Sequence, residues 1–76
     1  MTVDDLVQGR TYEVIREFRD YYGGVFARGE RLVFSERHFL PYHGGHTIVF
    51  GPVSMNLQEE VNADILDHLE QYLREC

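Results

Sequence analysis

Glycine and proline divide the first three quarters of this chain into short segments. All seven glycines and both prolines lie between residues 9 and 52, with pairs at Gly23-Gly24 and Gly44-Gly45. Glycine reaches positive φ without steric cost and proline lacks a backbone N–H, so both residue types mark turns. Turns at this spacing predict a β-rich body, which we place at residues 10–58.

Several of the segments have strand character. Val53, Met55 and Leu57 alternate with polar residues, which is the pattern of a half-buried strand. Residues 30–37 and 47–50 predict two further strands. Residues 11–18 fit either a strand or a helical stripe, and their β-branched residues favour the strand.

The hydrophobic period changes near the C-terminus. Apolar residues recur there at three- and four-residue steps, at Val61, Ile65, Leu66, Leu69, Tyr72 and Leu73. This spacing predicts one amphipathic helix over residues 59–75, with Asn62 as its N-cap and an acidic, solvated outer face.

These segments predict a single small domain over residues 1–76, with an N-terminal arm at residues 1–9. The preferred fold class is mainly β (α+β): a small SH3-like antiparallel, partly open barrel of four or five strands, with the C-terminal helix packed across one end. A flat α+β sheet with the helix on one face is the alternative. The aromatic residues expected in the core are Tyr12, Phe18, Phe26, Phe34 and Phe50.

Charge limits the classes of partner. The chain has 7 basic and 13 acidic residues, a formal net charge of −6, and the predicted helix is especially acidic. Phosphate backbones are bound by basic side chains, so a nucleic-acid partner is not expected. No apolar run is long enough to span a membrane, and the single cysteine, Cys76, fits a reduced cytoplasmic setting.

Catalytic motifs are missing from the sequence. It has no glycine-rich phosphate loop, no nucleophile elbow and no H-E-x-x-H pattern. We therefore expect a non-enzymatic protein with no catalytic residues and no cofactor. The partner would be a protein or peptide, and a homodimer through the helix stripe or an exposed edge strand is a further expectation.

Four aromatic residues in the predicted loops are candidates for a partner-binding groove: Tyr21, Tyr22, Phe26 and Tyr42. In SH3-like modules, an aromatic groove beside the long first loop binds extended peptides, and aromatic residues are enriched at binding hot spots. The alternative is that the loop folds back and buries these rings itself.

Three histidines suggest a second function, a small metal- or ligand-binding protein. A two-residue turn at Gly44-Gly45 would place His43 and His46 opposite each other on neighbouring strands. Two such imidazoles could bind a transition metal, with His38 as a third ligand if Pro41 bends the strand. The alternative is a pair of solvated loop histidines, or one ring stacked on Tyr42.

One further pattern fixes glycine, aromatic and proline positions together. It runs Gly9-x-x-Tyr12-x-Val14, Phe18-x-Asp20, Gly24-x-Phe26-x-x-Gly29-Glu30, Phe34, Phe39-x-Pro41-Tyr42-x-x-Gly45, Asn56-Leu57-Gln58 and Tyr72. From about Gly9 to Tyr72 the chain resembles a family of short bacterial domains of unknown function. The resemblance implies a compact β-rich domain, and it implies no activity or catalytic residue.

Overall fold

Short strands make up most of the regular structure. The computed structural model describes residues 1–40 and 44–76. The strands found in these residues are β1 (Thr11–Val14), β2 (Phe18–Arg19), β3 (Val25–Phe26), β4 (Arg31–Val33), β5 (Glu36–Leu40), β6 (Gly45–Phe50), β7 (Val53–Gln58) and β8 (Leu73–Glu75). The helical elements in the same residues are one α-helix, α1 (Ala63–Asp67), and two 3-10 helices, Val3–Asp5 and Leu69–Gln71.

Within the described ranges the strands form three antiparallel sheets, with the orders β4-β1-β8, β2-β3 and β5-β6-β7. The predicted mainly β class is confirmed. The described strands outnumber the four or five predicted, and the sheets they form do not close into a barrel. The SH3-like architecture stays a prediction.

A single hydrophobic core lies between the sheets. It contains residues from each sheet, from α1 and from the N-terminal segment. The five aromatic residues predicted for the core are all buried, which confirms that part of the prediction. The rings of Phe34 and Phe50 meet edge to face, with centroids 6.0 Å apart, and so join the β4–β5 connection to β6.

The β5-β6-β7 sheet has one face toward the core and one toward solvent. Ile48 pairs with Met55 across β6 and β7, and both side chains are buried. The adjacent pair, Thr47 and Asn56, lies on the opposite face because side chains alternate along a strand. The strand predicted from Val53 onward is confirmed as β7, and β5 is an edge strand whose residues are all exposed.

The prediction of a continuous helix over residues 59–75 is wrong. The α-helix covers only Ala63–Asp67, His68 leaves helical geometry, and Leu73–Glu75 pairs antiparallel with β1. Strand pairing gives the backbone of this segment partners on β1, and it still buries Leu73 in the core. Asn62 is at the N-cap position, but its side chain accepts a hydrogen bond from the preceding Gln58 N–H at 2.9 Å.

An ion pair supports the pairing of β1 with β8. Arg74 Nη2 donates to Glu13 Oε1 at 2.9 Å, directly across the two strands. This hydrogen bond, more than the surrounding charges, lowers the pKa of Glu13 below its ordinary value and raises that of Arg74.

The N-terminal residues are attached to the body rather than extended from it. Val3 and Leu6 are buried, and Val7 N–H donates to the Tyr12 hydroxyl at 2.9 Å. Asp4 forms an ion pair with Arg37 of β5 at 2.7 Å. The arm predicted at residues 1–9 is therefore part of the domain. None of the described helices is both long enough and apolar enough to cross a membrane.

Candidate binding site

A buried carboxylate organises the turn that follows β2. Asp20 Oδ1 accepts hydrogen bonds from the backbone N–H groups of Tyr22, at 3.1 Å, and Gly24, at 2.8 Å. Its other oxygen, Oδ2, accepts from the Asn56 N–H of β7 at 3.1 Å. One side chain therefore closes the turn locally and fixes it to a strand 36 residues further along the chain.

Backbone hydrogen bonds hold the same turn. The Tyr21 N–H donates to the Asn56 carbonyl at 2.7 Å, and the Gly23 N–H donates to the Asp20 carbonyl at 3.0 Å. Gly23 has φ +82°, a conformation that residues with a Cβ rarely adopt. The turn therefore has a defined conformation at the outer edge of β7.

Two aromatic rings project from this turn. Tyr22 is 76% exposed and Tyr21 is also exposed, and their rings meet edge to face with centroids 5.2 Å apart. Neither phenolic hydroxyl makes a hydrogen bond to a described residue. Exposed tyrosines with free hydroxyls offer both apolar area and a polar group to a partner.

Tyr22 lies beside the solvent-facing side of the β5-β6-β7 sheet. It borders a depression of about 20 Å³ together with Leu40, Thr47 and Asn56. Thr47 Oγ1 donates to Asn56 Oδ1 at 3.0 Å, which fixes the polar floor, and Leu40 is half-exposed on the edge strand. We call Tyr21, Tyr22, Leu40, Thr47 and Asn56 the tyrosine surface.

Phe26, which was also predicted for the binding groove, does not belong to this surface. Phe26 is only 3% exposed, and its ring stacks on Phe18 with centroids 5.2 Å apart. Its prediction as a partner-binding residue is wrong, because β2 pairs with β3 and turns both rings into the core. Tyr42 lies outside the described residues.

The predicted histidine pair depends on a turn that the structure does not have. Gly45 is the first residue of β6 and pairs with Leu40, so Gly44-Gly45 is not a two-residue turn. The residue opposite His46 is Phe39, and the two rings are 4.9 Å apart. His43 lies outside the described residues.

The two described histidines of the predicted metal site, His38 and His46, are on opposite faces of the sheet. His38 pairs with Thr47 on the solvent-facing side, whereas His46 is one position along β6 and faces the core side. Each has one carboxylate near Nε2: Glu36 for His38 and Glu59 for His46, both at 3.5 Å. In the part of the chain that the structure describes, no three ligand-type side chains form a metal-binding group.

Tyr21 and Tyr22 were predicted as binding residues from the sequence and are exposed in the structure, whereas Asp20, which positions their turn, was not predicted. The signal is present in the sequence as Asp20 followed by Gly23-Gly24, since aspartate and glycine together are typical of side-chain-capped turns. The hydrogen bond that Asp20 accepts from the Asn56 N–H joins residues 36 positions apart, and no local sequence pattern predicts it.

Comparisons with known proteins place the chain in a family without assigning it a chemistry. A family described as a domain of unknown function (DUF3601) matches residues 3–75. A solved integron cassette protein from the mobile metagenome of Vibrio cholerae is similar in structure, with a TM-score of 0.88 and 30% sequence identity. The similarity covers 93% of this chain and 88% of that protein. No curated protein matches the sequence.

Proposed function

Since the chain belongs to a family of domains of unknown function (DUF3601), we propose from its own surface that it is a protein- or peptide-interaction module. It acts without enzymatic chemistry or a cofactor, in the bacterial cytoplasm. Its partner binds at the tyrosine surface, and Tyr22 supplies the main contact.

One observation carries the proposal: two exposed aromatic rings are mounted on a turn that Asp20 fixes to β7. Covering large exposed rings with a partner lowers the free energy of the complex, and tyrosine is enriched among hot-spot residues. A turn that is already ordered loses little conformational entropy on binding, so more of that gain appears as affinity. A structural role does not require a ring that is three-quarters exposed.

The neighbouring edge strand supports an extended peptide as the form of the partner. In the described sheet, β5 has β6 on one side and no strand on the other, and Leu40 of β5 borders the same depression as Tyr22. A peptide added along β5 would bring alternate side chains toward Leu40 and Tyr22.

The test is selection from a random-peptide phage library against the folded domain. Enriched peptides are then synthesised, and their affinity is measured by fluorescence polarisation. We expect Tyr22→Ala to weaken binding at least about thirtyfold, because hot-spot truncations cost about 2 kcal/mol or more. The free energy of unfolding should change by less than about 0.5 kcal/mol, since the ring is mostly exposed.

Val33→Ala is the matched control. Val33 is an exposed apolar residue on β4, in the sheet that does not contain the tyrosine surface. Its substitution should leave peptide affinity unchanged. Peptides that bind Tyr22→Ala as tightly as the unaltered domain would contradict the proposal. Light scattering on the free domain separately shows whether a second copy occupies the surface.

A further inference from the structure

The free edge of β5 presents a defined set of backbone groups to a peptide. The N–H and carbonyl of Asn56 bond to the turn after β2, so Asn56 and Thr47 are a non-hydrogen-bonded pair of the β6-β7 ladder. Thr47 therefore directs its backbone groups toward His38 of β5, and the backbone groups of Arg37 and Phe39 point away from the sheet. Among the described residues, no segment beyond the sheet bonds to these outward groups, so an added strand can use them.

Alternation along β5 fixes which of its side chains face a peptide on the solvent-facing side. His38 lies on that side, so Glu36 and Leu40 lie there too. All three residues are exposed, and Leu40 already borders the depression with Tyr22. Glu36 and Leu40 are roughly 13 Å apart along the strand. In a strand paired with β5, the residues opposite them would be non-hydrogen-bonded partners, whose side chains approach most closely.

Glu36 gives this side of the sheet its charge. Among the residues of β5, β6 and β7 that face solvent, it is the only aspartate, glutamate or arginine. Its Oε1 is 3.5 Å from His38 Nε2, and no arginine pairs with it within the described chain. Arg37 lies on the other face, paired with Asp4 at 2.7 Å. Since the chain has a net charge of −6, a cation that approaches Glu36 meets an attractive field.

We propose that the peptide partner carries an arginine or lysine opposite Glu36, four positions from an apolar residue that meets Leu40 and Tyr22. This inference rests on the proposed function and names the chemistry of the peptide. The apolar residue binds at the tyrosine surface, and the basic residue sets the register along β5. A shift of one position would move the basic residue to the face of Arg37, where it meets a like charge. Glu36 is therefore the specificity-determining residue of this edge.

The test compares phage selections from one random-peptide library against the unaltered domain and against Glu36→Arg. We expect the unaltered domain to enrich arginine or lysine four positions from an apolar residue. Glu36→Arg should enrich aspartate or glutamate at the same spacing, because the charge opposite that position is reversed. Glu70→Arg is the matched control, since it makes the same change in net charge at an exposed residue outside this sheet. Its selected peptides should keep the basic residue.

A charge-swap cycle on one enriched peptide measures the pair directly, by fluorescence polarisation at constant ionic strength. Glu36→Gln should weaken binding about twofold to fivefold, the range for an opposite-charge pair across two strands. Glu36→Arg should weaken it about tenfold, because like charges directly opposite each other repel. Replacing the basic residue of the peptide with glutamate should recover most of that loss in Glu36→Arg and weaken binding to the unaltered domain.

The outcomes separate this inference from the proposed function. Enriched peptides that require Tyr22 but lack a basic residue at this spacing would overturn the inference alone, as would the same preference in Glu36→Arg and the unaltered domain. An equal loss of affinity in Glu70→Arg and Glu36→Arg would also overturn it, because it would show diffuse attraction to an acidic protein. Binding that is unchanged in Tyr22→Ala, or a selection that enriches no peptide, would overturn both the proposed function and the inference.

Discussion

Replacing Phe50 with alanine is expected to lower the free energy of unfolding by about 4 kcal/mol. The ring is 2% exposed and meets Phe34 edge to face, so its removal leaves a cavity where the sheets share their core. A domain of 76 residues typically has a total stability of about 4–11 kcal/mol. Urea denaturation followed by circular dichroism should therefore show a much lower urea midpoint for the variant than for the unaltered domain.

Phe39→Ala is the matched control for this result. Phe39 lies in the same β5-β6-β7 sheet, but it is 45% exposed. The same chemical change there should cost less than about 1.5 kcal/mol, because much of the ring already contacts water. Equal losses in the two variants would show that the sheet is not packed as the structure describes.

Replacing Asp20 with alanine is the second change with a large expected effect. It should lower the free energy of unfolding by about 3 kcal/mol, because three backbone N–H groups lose their acceptor in a partly buried site. Amide hydrogen exchange should also accelerate at Tyr22, Gly24 and Asn56, whose N–H groups donate to this carboxylate.

Asp20→Asn separates the contribution of the acceptor oxygens from that of the side-chain volume. The amide keeps one oxygen but places an NH₂ group where Oδ2 or Oδ1 accepts a hydrogen bond. We expect a smaller loss, about half that of the alanine variant. If alanine costs less than about 1 kcal/mol, Asp20 does not organise the turn, and the rigid presentation of the tyrosine rings loses its support.

The aromatic core was predictable because large apolar side chains in a short chain have few alternatives to burial. Phe18, Phe34 and Phe50 were expected inside from their size and their positions in short strands, and all three are buried. The alternation from Val53 to Gln58 was equally informative, because one face of β7 packs on the core and the other does not.

The C-terminal segment shows where a local pattern is insufficient. Leu69, Tyr72 and Leu73 fit a helical stripe, and all three are buried in the structure, but only Ala63–Asp67 is α-helical. The open edge of β1 decides the outcome, because it offers backbone partners that are distant in the sequence. Such non-local pairing overrides a periodicity that is read from neighbouring residues alone.

The geometry of the candidate site was only partly predictable for the same reason. Tyr21 and Tyr22 were predicted as binding residues from their residue type and loop position. Phe26 was predicted both for the core and for the groove, and it pairs with Phe18 in the core. The pairing of β2 with β3 and the hydrogen bond from the Asn56 N–H to Asp20 are both contacts between separate segments of the chain, which a local sequence pattern does not reveal. The histidine prediction assumed a two-residue turn at Gly44-Gly45, whereas Gly45 pairs with Leu40. A different strand register changes which residues face each other across the two strands.

We propose above that the exposed tyrosine turn is the partner-binding face. Its most direct test is an amide chemical-shift map of the labelled domain with a peptide enriched by phage selection. We expect the largest shifts to disappear in Tyr22→Ala and to fall, in the unaltered domain, on Tyr21, Tyr22, Leu40, Thr47 and Asn56. Shifts concentrated on the β4-β1-β8 sheet, or unchanged in Tyr22→Ala, would contradict it.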